Sequence, residues 1–361
     1  MSTLSEREVL ELHRLLVATP SVSGSEAEIA SRLADFLATR GHAATRLGNS
    51  LLALAGTGPL LLLDSHLDTV PPGPGWSTEP FAATVRDGKI QGLGANDAKA
   101  SVAAMTAAFL DLCGERLPLT LGLALVACEE TSAQGTEDVL AHLARVGQPV
   151  AAAVFGEPTE LDLAVAQKGL LVLELVARGN SRHAGHPPEK GEESAVRRLA
   201  RDLHALEHVD LRPHDPHLGP VTLEPTLLQA GTVRNVVPGE ATATLDGRTT
   251  PALPPAEIVA RLRAALASEV RVLSDRLGPR ATPAGSALLR AARAARPDAR
   301  EYGSPTLSDW ALLPRGTPAI KVGPGSSSRS HRPDEYVHEA EVLEGARFYA
   351  RLARAFAAEA A

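Results

Sequence analysis

The sequence predicts an α/β protein with an α+β domain inserted into a larger α/β one. Three observations predict it. Unbroken apolar runs recur at Leu60–Leu63, Leu119–Ala127 and Ala151–Phe155, as in strands buried on both faces of a parallel sheet. Capped helical patterns alternate with these runs. Beyond Lys168-Gly169 the texture changes to half-polar strands in the order strand-helix-strand-strand-helix-strand, that of a ferredoxin-like split unit. The 361 residues suit two domains. The expected boundaries are 1–167 for the first part of the larger domain, 168–280 for the insertion and 281–361 for the second part.

Taken in order, Ser5 with Glu8 forms a capping box, Leu4 can staple onto Val9, and a helix runs to about Ala18 before Pro20. Ser25 opens a second helix with Ile29, Leu33, Phe36 and Leu37 on one face, closed by Gly41. Strands follow at Leu51–Leu54 and Leu60–Leu63. A Pro- and Gly-rich loop spans Pro71–Pro80, and Asp87-Gly88 signals a turn. Ala98–Leu112 reads as an Ala-rich helix. In the insertion, strands are expected at Leu170–Ala177, within Val221–Val237, at Ala241–Arg248 and at Val270–Leu273. Helices are expected at Glu192–Leu206 and Pro255–Leu266. Thereafter come a helix over Ser286–Ala294, a buried strand over Pro318–Val322, a Gly- and Ser-rich loop carrying His331, and a last helix over Glu339–Ala357.

Composition bounds the partners. Apolar residues make up 44% and aromatics 3%, so the core is built from Ala, Leu and Val. A net charge of -7 argues against a nucleic-acid partner and fits a small-molecule substrate. No apolar run reaches membrane-spanning length, and the charged N-terminus lacks the apolar stretch of a signal peptide. Two cysteines, Cys113 and Cys128, cannot staple a chain of this size. A cytoplasmic location is therefore expected.

The chemistry gathers where apolar runs stop. His66 and Asp68 follow the first run, a pairing that suits a metal ligand and its orienter, or merely a solvated loop. Asp97, ahead of the Ala98 helix, reads as a ligand or as an N-cap. Glu129-Glu130 follow the second run; adjacent carboxylates there call for a cation, or compensate the dipole of a following helix. Glu157 follows the third run. His331 joins them from the late loop. Two histidines with three carboxylates exceed what one zinc needs and could hold two metals with Asp97 bridging.

In five ordered stretches the sequence resembles the di-zinc amidohydrolases: acetylornithine deacetylase, succinyl-diaminopimelate desuccinylase, aminoacylase and the glutamate-type carboxypeptidases. The stretches are His66-Leu-Asp68-Thr-Val70, Gly92-Leu-Gly94-Ala-Asn-Asp97-Ala-Lys99, Glu129-Glu130-Thr131, Gly156-Glu157-Pro158-Thr159 and His331-Arg-Pro-Asp-Glu335-Tyr336-Val337. The resemblance implies a zinc-exopeptidase-like three-layer catalytic domain and an inserted dimerisation (lid) domain. It implies two Zn2+ per chain, with Co2+ as a possible substitute. Asp97 would bridge them, His66 and Glu157 would complete one site, and Glu130 and His331 the other. Asp68 would orient His66, and Glu129 would be general base toward a metal-bridging water. In the insertion, His183 resembles the histidine that reaches a partner subunit's active site in a homodimer, with His186 as the alternative. Asn235 and Arg248 resemble binders of the substrate carboxylate, although Arg248 also reads as an exposed strand arginine. Ala100 and Gly247 depart from the family pattern. The implied activity is removal of the N-acyl group from an N-acyl amino acid, with N2-acetylornithine in arginine biosynthesis as first expectation, favoured by Asn96 and Gly303-Ser-Pro-Thr-Leu-Ser-Asp309-Trp. Succinyl-diaminopimelate desuccinylase, a carrier-protein-linked lysine or ornithine hydrolase and a dipeptidase are alternatives. An inactive dimeric binding homologue is the alternative of another class.

Overall fold

In a computed structural model, which describes residues 4–360 but not the side chain of Ala360, helix α1 (Glu6–Val17) opens with the expected capping box between Ser5 and Glu8. Helix α2 (Ala27–Ala38) begins later than expected. Ser25 does not cap it: Glu26 occupies the N-cap, without a side-chain cap bond. The Glu26 carboxylate instead accepts from Gly24, Asn49 and Cys128. Strands β1 (Thr45–Leu47), β2 (Ser50–Gly56) and β3 (Leu60–His66) follow. β4 (Thr84–Arg86) and β5 (Lys89–Gln91) form a hairpin around Asp87-Gly88. Both turn residues have positive φ, 51° and 70°, as a tight hairpin turn requires. Helix α3 (Lys99–Leu112), β6 (Thr120–Val126), α4 (Gln134–Arg145), β7 (Val150–Phe155) and β8 (Leu163–Gln167) complete the first stretch. Asp97 is not the α3 N-cap; that position is Ala98.

The next elements are β9 (Gly169–Arg178), β10 (Arg182–His183), α5 (Ala195–Leu206), β11 (Thr222–Ala230), β12 (Val236–Val237), β13 (Glu240–Thr249), α6 (Pro255–Ala265), β14 (Glu269–Ser274) and β15 (Arg280–Ala281). Then come α7 (Ala287–Ala295), β16 (Glu301–Ser304), a 3-10 turn over Asp309–Leu312, β17 (Ala319–Lys321), a second 3-10 turn over Ser327–Arg329, β18 (Tyr336–His338) and α8 (Glu339–Ala360).

The chain forms two compact units. One comprises the residues up to Val165, Ala281–Tyr302 and those from Ser308 onward; the other comprises Ala166–Arg280 with Gly303–Leu307. The first has three layers. Its mixed sheet runs β1-β2-β6-β3-β7-β17-β8, with β6, β3, β7 and β17 mutually parallel. All seven residues of β3 and of β6 are buried, which is why both read as unbroken apolar runs. Alternate residues face opposite layers. Leu61 and Leu63 pack into the core formed with α1, α2, α3, α7 and α8. Leu60 and Leu62 join Val139 and Leu143 of α4 and Trp310 on the other side.

The second unit is an antiparallel sheet in the order β11-β13-β9-β14. Leu171, Leu173, Leu175, Ala241, Ala243 and Leu245 point from β9 and β13 to one face. There they meet Leu199 of α5 and Ile258 and Leu262 of α6. Alternate residues of β13 are only half-buried, which accounts for the alternating texture of this segment. Edge strand β11 is almost wholly exposed.

Candidate metal centre

Parallel strands present their carboxyl ends at one side of a sheet. His66 is the last residue of β3 and lies in register with Val126, the last of β6; Asp64 lies in register with Phe155, the last of β7. Glu129 and Glu130 therefore emerge just past β6, and Glu157 just past β7, beside His66. The chain turns at Cys128, whose φ is 60°. The Glu129 and Glu130 N–H groups donate to Asp68 Oδ1 and Oδ2 at 3.0 and 3.2 Å, and Ser23 Oγ donates to Oδ2 at 2.7 Å. His66 Nδ1 bonds the Asp68 main-chain carbonyl at 3.0 Å, with the Asp68 carboxylate farther off at 3.6 Å. The Asp68 side chain thus holds the Glu129-Glu130 turn at least as closely as it orients His66.

Asp97 and His331 do not follow strands directly. Both are fixed by bonds between distant segments. Glu335 Oε1 accepts the Asn96 and Asp97 N–H groups at 2.8 and 2.9 Å. The Asn96 side chain accepts from Ser326 N and donates to the Ser326 carbonyl and Ser330 Oγ, clasping the loop that carries His331. Gly325 makes that approach possible: its φ is 84°, and a Cβ there would collide with Asn96 Oδ1. Arg329, paired twice with Glu341, anchors the same loop.

The two carboxylate oxygens of Asp97 face different imidazoles. Oδ1 lies 3.3 Å from His66 Nε2, and Oδ2 lies 3.7 Å from His331 Nε2. His331 Nε2 also lies 2.8 Å from Glu130 Oε1. Ligand atoms of His66, Asp97 and Glu130 fall within 4.8 Å of one another. The electrostatics fit a cation site. Burial, then the charges of Asp309, Glu157 and Glu130, push the Glu129 carboxyl well above its usual range. Burial and the Asp97 charge push Glu157 up to about 8. Burial works against ionisation of Asp97, yet His66, Ser330 and His331 hold it below the ordinary range. Burial opposes protonation of His66 too, but Asp68, Asp97, Glu129 and Glu157 hold it well above its ordinary value. Crowded, desolvated carboxylates facing imidazoles are offset best by divalent cations, and mixed N and O donors suit zinc. The donor set present therefore fits a metal centre.

Of the residues expected at the site, His66, Asp68, Asp97, Glu129, Glu130, Glu157 and His331 are brought together in the first unit. His183, Asn235 and Arg248 belong to the second. His183 is exposed on β10; its Nδ1 accepts the Gly185 N–H at 3.1 Å, and its ring stands 5.5 Å from that of His186. Asn235 is exposed, and its carbonyl accepts from Ala184. Arg248 is half-buried and pairs with Asp246 at 2.8 Å. Sequence reasoning missed three supports, Glu26, Glu335 and the buried Lys321, whose charge is felt by Glu157. An acid after Ser-Gly-Ser was legible only as a helix start, and a lysine in an apolar strand only as a strand residue.

The model of peptidase family M20/M25/M40 matches residues 62–355, which include every one of these metal-facing side chains. The chain belongs to this family. As a family member it is a metal-binding hydrolase that acts on amide bonds. It is 33% identical over 365 residues to a succinyl-diaminopimelate desuccinylase of Xanthomonas campestris, covering 93% of this chain and 95% of that one. A second desuccinylase, from Bordetella pertussis, is 32% identical over 275 residues, 72% of each chain. Among solved structures, an aminopeptidase from Bacillus cereus superposes with a TM-score of 0.78 at 20% identity, over 99% of this chain and 100% of that one. A dinuclear metal-binding peptidase of the M20 family from Bacillus subtilis gives 0.72 at 18%, over 97% of each. These likenesses carry the α/β fold with its inserted unit. Among the described residues, no helix is long and apolar enough to cross a membrane.

Proposed function

We propose that the protein is a two-metal deacylase that frees an amino acid from its N-acyl group. The observation that carries this reading is Asp97 standing between His66 and His331, one carboxylate oxygen toward each imidazole. Asp97 would be shared by two metals, with His66 and Glu157 on one and Glu130 and His331 on the other. Zinc suits these donors, and cobalt would substitute. When bound, the metals supply Lewis-acid polarisation of the amide carbonyl and acidify water. Glu129 is the general base: its carboxylate takes the proton of the attacking water and passes it to the leaving amine nitrogen. A carboxyl raised by burial suits that two-way transfer. Asp68 keeps Glu129 aimed through the backbone of its turn.

The second unit would pair two chains into a homodimer. His183 of one subunit would then donate to the developing oxyanion in the other, while Asn235 and Arg248 hold the substrate carboxylate. For the substrate, likeness over nearly the full length to a desuccinylase favours an N-succinyl diamino acid over the N2-acetylornithine expected first. This points toward lysine rather than arginine biosynthesis. The intact ligand set with Glu129 supports an active enzyme over a binding homologue.

The test is a panel of succinyl-diaminopimelate, acetylornithine, carrier-linked lysine and dipeptides, assayed with zinc or cobalt alongside a count of bound metal. Two metals per chain, loss of activity with chelator and preference for the succinyl substrate are expected. Full activity with one tightly bound metal would reject the two-metal reading, and preference for dipeptides would reject the deacylase.

A further inference from the structure

We propose that Glu26 is a positioning residue for the Cys128–Glu130 turn, acting through the main chain on Glu129. The proposal rests on the reading of Glu129 as general base.

Glu26 is completely buried. It stands where a helix cap should be but does not cap. Its Oε1 accepts the Gly24 N–H at 2.6 Å, the Cys128 N–H at 3.3 Å and the Cys128 thiol at 3.4 Å. Its Oε2 accepts from Asn49 Nδ2 at 3.0 Å. These donors are amides and a thiol, not a guanidinium or ammonium group. An apolar residue of similar volume would leave the Gly24, Cys128 and Asn49 donors without their acceptor, so the carboxylate ties these three segments together. What it does fix is a sharp reversal of the chain.

Cys128 adopts a left-handed conformation that non-glycine residues rarely take. Its carbonyl gathers the N–H groups of Thr131, Ser132 and Ala133 at 3.4, 3.0 and 2.7 Å. Its own N–H goes to Glu26, and the next two N–H groups go to Asp68. Three consecutive amides are thus pinned by two buried carboxylates, one on each side of the residue that turns. One loop braces both: Ser23 Oγ holds Asp68, Ser21 Oγ holds the Leu67 carbonyl, and Glu26 follows three residues after Ser23. The Glu129 side chain leaves the main chain between these two clamps. A displacement of about 1 Å in a catalytic group costs on the order of a hundredfold in rate, so the Glu26 clamp governs turnover without touching substrate.

The test compares Glu26→Asp, which withdraws the carboxylate by one methylene, with Glu26→Gln, whose amide oxygen can still accept from Cys128 while its NH2 faces a reoriented Asn49. Glu26→Asp should lower kcat on the order of tenfold or more, with KM changed less than about threefold and bound metal unchanged. Glu26→Gln should stay within about threefold of the parent. In a Glu129→Gln background, Glu26→Asp should cost nothing further, because no base remains to be aimed. Should Glu26→Asp fail to fold, Glu26→Asn, withdrawn by the same methylene but uncharged, is read in the same way. Equal losses in both backgrounds, loss of metal in step with activity, or an unchanged kcat in Glu26→Asp would overturn the proposal. Parental turnover in Glu129→Gln alone would instead overturn the base assignment beneath it, so the two failures are distinguishable.

Discussion

At the scale of residues, the adjacent pair Glu129 and Glu130 divides by direction. Glu130 lies against His331 and among the ligand atoms of His66 and Asp97, whereas Glu129 feels the charges of Asp309 and Glu157. Glu129→Gln should therefore lower kcat at least about a hundredfold, a typical general-base effect, with metal content near normal. Glu130→Gln should weaken metal binding. Reversed behaviour, read by kinetics and metal analysis, would exchange the two roles. His13 makes a different prediction. It is fully buried on α1, with Nε2 on the Ala95 carbonyl and Nδ1 without a partner. Burial, with the nearby Lys99 charge adding and the Ala95 bond opposing, lowers its pKa to about 4. In the unfolded chain it takes a proton near pH 6.5, in the folded chain only near 4. Between those values the unfolded state binds more protons, so this contribution is complete above about pH 6.5 and is lost as pH falls toward 4, on the order of 3 kcal/mol. The urea midpoint of His13→Gln, which keeps a donor toward Ala95, should fall less over that range than that of the parent. Parallel decline would mean that His13 does not govern acid stability.

At the scale of elements, the central strands carry both the core and the site. Leu63 is fully buried on β3, three residues before His66, and packs into the core with the helices. Leu63→Ala should cost about 2–5 kcal/mol and lower the urea midpoint without changing the slope. If the strand does set the position of His66, metal affinity should fall with it. An unchanged affinity at that loss of stability would show that the turn beyond β3, through Asp68, holds His66 by itself. The parallel pairing of β6, β3 and β7 explains why three separate apolar runs deliver acids and a histidine to one place: parallel strands share a carboxyl end, and the register aligns Asp64 with Ala124 and Phe155.

At the scale of the whole molecule, the proposal is a homodimer in which His183 works in trans. His183→Ala and Glu129→Gln should each be nearly inactive alone. Mixed after subunit exchange, they should form about half heterodimers, each with one complete site, and recover roughly a quarter of parental activity by two-fold symmetry. No recovery after confirmed exchange would place His183 in cis or outside catalysis. An active monomer in solution would reject the arrangement. The exposed edge strand β11, with Leu227 and Leu228 turned to solvent, is the part of the second unit that such pairing would cover.

The sequence by itself determined the layers and much of the site. Leu60–Leu63, Leu119–Ala127 and Ala151–Phe155 read as strands buried on both faces, as β3, β6 and most of β7 are, and His66, Glu129, Glu130 and Glu157 follow them within a few residues. The capping box at Ser5, the Asp87-Gly88 turn and the ferredoxin-like order were equally local. Short strands such as β8, β15, β16 and β18 were not legible, because so few residues leave no period to read. Tertiary structure alone decided the rest. Ser25 gave way to Glu26 at the start of α2 because Glu26 found donors on residues 49 and 128. Asp97 stands one residue ahead of the helix cap, with its carboxylate between His66 and His331. Glu335 meets the Asn96 amide across 239 residues of chain, and Glu130 meets His331 across 201. Apolar periodicity and capping act between neighbours in the chain and leave their mark in composition and spacing. A hydrogen bond across two hundred residues forms only after the core has met the entropy of bringing its ends together, and nothing in the intervening sequence encodes it.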